Sequence, residues 1–159
     1  MLKQLANLTI DADGRYATDA ELKFIHNYLN SAKQRVEIYE KIRDAEEAIV
    51  EKVKSERKMF HEGPGNFSHL DRGQKEEFCT RDLKSVIRCS AAAILLEEPD
   101  RLKQALLLWY YTIVRAFDFL EQSQPTYQVL EKVINTYLTP EEVKLATPIL
   151  RLNHTILSS

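Results

Sequence analysis

Glycine and proline are scarce: 4 and 5 among 159 residues. An all-β chain of this length needs frequent turns, and turns draw on both residues. Their shortage excludes that class and leaves long helices. Cysteine is scarcer still. Cys79 and Cys89 cannot make a disulfide framework. On one predicted helix they lie roughly 15 Å apart along the axis, at ~1.5 Å per residue, too far to bridge each other. No apolar run reaches membrane-spanning length, and no secretory apolar stretch opens the sequence, so a cytosol-like compartment is expected. Charge of one sign is missing too. The 22 Lys+Arg against 24 Asp+Glu leave a net charge of −2, without the basic surface that nucleic acid or an anionic membrane demands. Gly-rich phosphate loops, paired-Cys metal motifs, His-Glu-x-x-His and nucleophile elbows are all absent.

What remains is apolar periodicity. Hydrophobic residues make up 44%, enough for a core at this length. Leu2, Leu5 and Leu8 suggest a short amphipathic helix, broken at Asp11-Ala12-Asp13-Gly14-Arg15. Thr18 with Glu21 reads as a capping box opening a helix with Leu22, Ile25, Tyr28 and Leu29. A second helix carries Ile38, Ile42, Ala45, Ile49 and Val53. The charged residues from Glu37 to Lys58 read as a solvated face with i,i+4 ion pairs. Glu62-Gly63-Pro64-Gly65-Asn66 is a loop. A long helix runs from about Gln74 to Glu98 and stops at Pro99. Leu102 to Leu120 is apolar almost all round, through Leu106, Leu107, Leu108, Trp109, Tyr110, Tyr111, Ile113, Val114, Phe117 and Phe119, and is expected to be buried on several sides. Gln124-Pro125 breaks the chain, Thr126 caps the next helix, and Thr139-Pro140-Glu141-Glu142 starts the last, with a kink at Pro148. Seven or eight helices with short connections suit crossed, globin-type packing better than a four-helix bundle. No repeat, low-complexity tract or linker divides residues 1–159, which read as one domain.

Few residues carry chemistry. Of the four histidines, His26, His61, His69 and His154, none has a His partner one helical turn away. The long helix from Gln74 holds none, which counts against a haem globin. Cys79 and Asp82 stand one turn apart, on a stripe with Val86, Cys89 and Ala93. A thiol beside a carboxylate can anchor a group covalently and bind its N–H donors. On spacing alone, a buried structural cysteine beside a solvated Arg–Asp pair is the plainer reading. Cys89 is expected in the core, and Trp109-Tyr110-Tyr111 reads as core before it reads as a cofactor wall.

The stretch Cys79-Thr80-Arg81-Asp82-Leu83, with Arg88 nine after the cysteine, resembles the bilin-attachment motif of phycobiliproteins, the globin-like antenna subunits of phycobilisomes. Ala12 to Tyr16, Asp19 to Leu22, Ser31 to Ile42, Asn66 to Cys79, Arg115-Ala116-Phe117, Pro125-Thr126-Tyr127 and Leu157-Ser158-Ser159 are similar to that family in order and spacing. The resemblance implies an all-α globin-like fold with an N-terminal helical extension: about 1–17 a pairing segment, 18–159 the globin-like core. It implies that Cys79 forms a thioether to phycocyanobilin or a related bilin, that Asp82 accepts from the inner pyrrole N–H groups, and that Arg81 pairs with a propionate. Arg81 leaves the helix about 200° from Cys79, at ~3.6 residues per turn, so its stem must bend back. Tyr110 or Tyr111, and Tyr127, would wall the bilin. Arg88 would meet an N-terminal acid of a partner subunit, with Asp11 or Asp13 as the reciprocal acid.

The implied function is light harvesting and energy transfer, not enzymatic turnover, with no metal. The implied partners are a beta-type subunit, ring or rod assemblies and linker proteins. The implied place is the cytoplasmic face of the thylakoid, or the cytoplasm, without membrane insertion. Three departures mark a divergent allophycocyanin- or phycocyanin-alpha-like chain. Ser85 and Val86 stand where the family has an aromatic pair, Phe78 stands where a basic residue often precedes the cysteine, and Glu97-Glu98-Pro99-Asp100 replaces a Gly-bearing loop. They motivate an alternative, a colourless structural or regulatory subunit. A thiol enzyme using Cys79 is disfavoured, because no His lies within a turn to activate it and Asp82 would raise its pKa.

Overall fold

The computed structural model describes residues 2–56, 72–116 and 120–157. The loop expected at 62–66, His61, His69, Phe117 and Phe119 lie outside them. Every regular element among the described residues is helical. The elements are α1 (Leu2–Asp11), α2 (Asp19–Asp44), α3 (Glu46–Glu56), α4 (Arg72–Leu96), α5 (Pro99–Leu102), a single π-helical turn (Lys103–Leu107), α6 (Leu108–Ala116), α7 (Leu120–Asn135) and α8 (Pro140–Leu157).

The capping box at Thr18 is present: its hydroxyl accepts from the Glu21 amide, and the Glu21 carboxylate accepts from the Thr18 amide. The helix it opens does not stop where a second was expected to begin. α2 runs unbroken to Asp44, and the stripe Ile38–Ile42–Ala45–Ile49–Val53 crosses into α3 over one non-helical residue, Ala45. No Gly or Pro marks that joint. The acids Glu46 and Glu47, in the first turn of α3, are its sequence signature.

α4 is the centre of the fold and packs chiefly against α2 and α8. Its buried residues Leu83, Val86, Ile87, Ala91 and Ile94 meet Ile38 and Ile42 of α2, Val50 and Val53 of α3, and Ile149 and Leu150 of α8 in one cluster. Each such fully buried aliphatic side chain stabilises by roughly 1.5–3 kcal/mol relative to exposure. At the C-terminal end of α4, Glu97 adopts φ +53. The Glu98 and Glu97 amides donate back to the Ala93 and Ile94 carbonyls, a Schellman closure in which glycine usually supplies the left-handed residue. Arg35 of α2, only 3% exposed, donates from Nε to the Leu95 carbonyl at 3.0 Å and stacks on Tyr28 at 3.8 Å. A cation there complements the negative end of the α4 dipole.

Residues 99–116 form one helical run interrupted by the π turn, which accommodates burial of both Leu102 and Leu107, five apart. This run is less buried than expected: Leu108 is 46% exposed and Trp109 61%. Pro125 does not break the chain. It lies inside α7, and Thr126, expected as a cap, is a buried helical residue. Packing of Tyr127, Leu130, Val133 and Ile134 into the core holds α7 together across the missing N–H. α8 likewise runs through Pro148 to Leu157.

The charged surface of α2 and α3 does more than pair along its own helix. Lys41 reaches both Glu142 oxygens of α8 at 2.7 Å, Lys54 reaches Glu76 of α4 at 2.9 Å, and Arg88 of α4 reaches Glu46. Glu142 also closes the second capping box, accepting from the Thr139 amide at 2.7 Å. Burial would raise its pKa, but the Lys41 ammonium and the Thr139 amide and hydroxyl outweigh that and hold it below its ordinary 4.5. A depressed carboxylate contributes stability above its ordinary pKa and loses it as pH falls through the folded value. Stability to denaturant should therefore decline below about pH 4.5. Glu142→Gln should cost about 1.5–3 kcal/mol at pH 7 and flatten the acid decline, as read from urea unfolding curves between pH 3 and 7. An unchanged pH dependence in the variant would contradict this.

Candidate functional site

The buried stripe of α4 fixes which way its other residues face. With Leu83, Val86 and Ile87 inward, Cys79 and Asp82 are left half-buried beside α6 and α7, and Arg81 points outward at 67% side-chain exposure. Arg81 does bend back. Its Nε and Nη2 donate to Asp82 Oδ1 at 3.4 and 3.3 Å, and its guanidinium lies 5.0 Å from the Phe78 ring centre. The residue where a basic side chain was expected thus serves as a flat support for the arginine. Ser85, at one missing aromatic position, donates to the Arg81 carbonyl at 3.1 Å, while Val86, at the other, is in the core.

Tyr110 of α6 and Tyr127 of α7 close the inner side. The Tyr127 and Tyr110 phenols lie close to each other, and both lie near the Asp82 carboxylate. Burial, then the Asp82 charge, raises the Tyr110 pKa, and burial, then Tyr110, raises that of Tyr127. Both phenols therefore keep their protons. The Cys79 thiol is pushed up first by burial and then by the Asp82 and Glu76 carboxylates, so it stays protonated near neutral pH. The arrangement supplies a protonated thiol, an acceptor carboxylate, an outward guanidinium and phenol donors.

Four of the sequence-predicted residues, Cys79, Asp82, Arg81 and Tyr110, meet at this place, with Tyr127 behind them. Tyr127 is only 3% exposed, so it backs the cluster rather than walling an open site. Tyr111 packs partly buried against the core. Asp11, the last residue of α1, and Asp13, on the turn after it, are both exposed, and Arg15 holds the Asp11 carbonyl and the Glu21 carboxylate. Arg88 donates from Nε and Nη2 to Glu46 at 2.7 and 2.6 Å. Nothing at residue 46 signalled that partner, because the contact spans two helices. Cys89, expected in the core, is exposed. Ten residues on, the helix has turned it about 80° from Cys79, at ~100° per residue.

A family model described as Phycobilisome protein matches residues 7–156. This chain belongs to that family. It is a divergent phycobiliprotein, and its all-α globin-like arrangement is the expected fold. Allophycocyanin subunit beta-18 of Aglaothamnion neglectum is 25% identical over 141 residues, 85% of this chain and 80% of that protein. Allophycocyanin alpha-B chain of Cyanidium caldarium is 28% identical over 145 residues, 87% and 86% of the two. Similarity is thus about equal to a beta-named and an alpha-named subunit.

The two thiols of this phycobiliprotein should differ in reactivity. In pigment-free protein at pH 7–8, iodoacetamide should label Cys89 several-fold faster than Cys79, and Asp82→Asn should speed labelling of Cys79 by lowering its pKa. Peptide mass mapping over time reads both rates. Faster labelling of Cys79 would contradict the placement.

Proposed function

We propose that this phycobiliprotein is a light-harvesting antenna subunit in which Cys79 carries a linear tetrapyrrole, phycocyanobilin or a related bilin, as a thioether. The observation that carries the reading is the meeting of the Cys79 thiol, the Asp82 carboxylate, the Arg81 guanidinium and the Tyr110 phenol. The donor set fits such a pigment. The thiol adds across a ring-A double bond, so one S–C bond forms, the thiol proton ends on the neighbouring carbon, and no group leaves. Asp82 is acceptor-only when ionised and suits the inner pyrrole N–H groups. Arg81 borders an open groove of about 450 Å³ with Lys54, Gly73, Glu76, Thr80 and Lys84, where its guanidinium is free to turn to a propionate. Tyr110 adds aromatic surface. When bound, the pigment supplies visible absorption, and the protein supplies position and electrostatics.

The chain would work in a heteromeric assembly, pairing with a beta-type subunit and through it in rings or rods with linker proteins, at the cytoplasmic face of the thylakoid. Residues 1–17 would form the pairing segment. Ile10 is 73% exposed and Tyr16 97%, apolar surface that a partner would cover. Asp11 and Asp13 stand exposed beside them. In turn, a partner's acid would have to exchange with Glu46 to reach Arg88. No helix among the described residues is long and apolar enough to cross a membrane, which fits peripheral attachment.

Co-expression with phycocyanobilin-synthesising enzymes should give a red-absorbing protein whose zinc-enhanced fluorescence stays with the polypeptide on a denaturing gel. Cys79→Ala should abolish the fluorescent band, and Cys89→Ala should keep it. A colourless wild-type band, beside a coloured beta-type control in the same cells, would favour the pigment-free structural role.

A further inference from the structure

We propose that the acidic corner at Glu98 and Asp100 is a latch that keeps α1 helical and so presents residues 1–17 for pairing; this rests on the pairing-segment reading. Among the described side chains of α1 none is buried, and among the described residues no other helix packs extensively against it. A helix of 10 residues is marginal in water without such packing. Its first turn holds no acid, and neither Met1 nor Leu2 carries a side-chain oxygen that could cap it.

The cap comes instead from a distant part of the chain. The Glu98 carboxylate accepts from the Lys3 amide at 3.4 Å, across 95 residues of sequence. Glu98 is buried, so the acceptor is fixed in place. It satisfies one of the N–H groups that a helix start leaves without a partner, and its charge complements the positive end of the α1 dipole. The Lys3 ammonium meets Asp100 at 3.5 Å, but both side chains are largely exposed and that pair adds little by itself. Glu98 therefore supplies most of the hold. At the other end of α1, the Arg15 guanidinium donates to the Asp11 carbonyl at 3.0 Å. Charge thus grips α1 at both ends, while Ile10 and Tyr16 stay exposed. A partner that meets a helix already formed binds without the entropy loss of ordering it.

The test uses the full chain. Hydrogen exchange is read by mass spectrometry on peptides from residues 1–17, and pairing by co-elution with a beta-type subunit expressed in the same cells. Glu98→Ala should speed exchange in α1 about fivefold and leave α7 and α8 unchanged. Glu98→Gln keeps an acceptor and should keep most of the protection. Lys3→Glu sets a carboxylate beside Glu98 and Asp100 and should also loosen α1; adding Asp100→Lys should restore it. Co-elution should fall and recover in step. Exchange in α1 unchanged by both Glu98→Ala and Lys3→Glu overturns this inference alone, as does faster exchange with undiminished co-elution. Faster exchange throughout the chain, α7 and α8 included, overturns it too, since the corner would then be holding the whole fold. A wild-type chain protected in α1 that never co-elutes overturns the pairing reading and the presenting role with it.

Discussion

The rotation of α4 about its own axis is the constraint on which the rest depends. A helix of 25 residues offers every azimuth to its neighbours, and only one buries Leu83, Val86, Ile87, Ala91 and Ile94 together. Packing against α2 and α8 selects it, and the Arg35 contact with the Leu95 carbonyl fixes the far end. A turn of α4 by one residue would expose about half of that stripe and carry Cys79 and Asp82 away from Tyr110 and Tyr127. The site's geometry is thus a by-product of core packing more than a hundred residues in extent. Side chains that touch no ligand, such as Ile87 and Ile94, determine where the thiol sits.

Electrostatics then divides the molecule into a quiet interior and a paired surface. Among the described residues, the two most deeply buried ions are partnered: Arg35 by carbonyls and an aromatic face, Glu142 by Lys41 and its own helix cap. Around Asp82 the balance differs. The carboxylate is held by an exposed guanidinium and lies near the partly buried Tyr110 phenol. In the proposed reading, such a carboxylate would exchange its surface partner for the pigment. The neighbouring thiol, kept protonated by burial and by that carboxylate, is a poor nucleophile on its own. A protein that carries a covalent group without turning over needs no more than that, and in the proposed reading another protein would bring pigment and thiol together.

Much of this was legible in the sequence where the signal is local. Thr18 with Glu21 and Thr139 with Glu142 cap their helices as read, because a cap is decided within four residues. The Cys79–Asp82 spacing was legible for the same reason, and the bent stem of Arg81 followed from helical geometry. The misreadings were tertiary. Pro125 carries a strong local stop signal, yet the apolar contacts of Tyr127 and Leu130 override it. Trp109 and Leu108 looked like core because their neighbours are apolar, but the fold leaves that side of α6 exposed. Cys89 drifts off the Cys79 stripe because 3.6 residues per turn do not divide ten evenly. The Arg88–Glu46 pair, and the backing of Tyr110 by Tyr127, join residues far apart in sequence and had no local signature at all.

The central claim is a covalent pigment on Cys79, and one measurement addresses it most directly: the mass of the tryptic peptide Glu76–Arg81, taken from chain co-expressed with bilin synthesis. The account predicts this peptide heavier by one linear tetrapyrrole, carrying the visible absorbance through chromatography, with the peptide bearing Cys89 unmodified. An unmodified Glu76–Arg81 peptide, or the tetrapyrrole found on Cys89 instead, would contradict it.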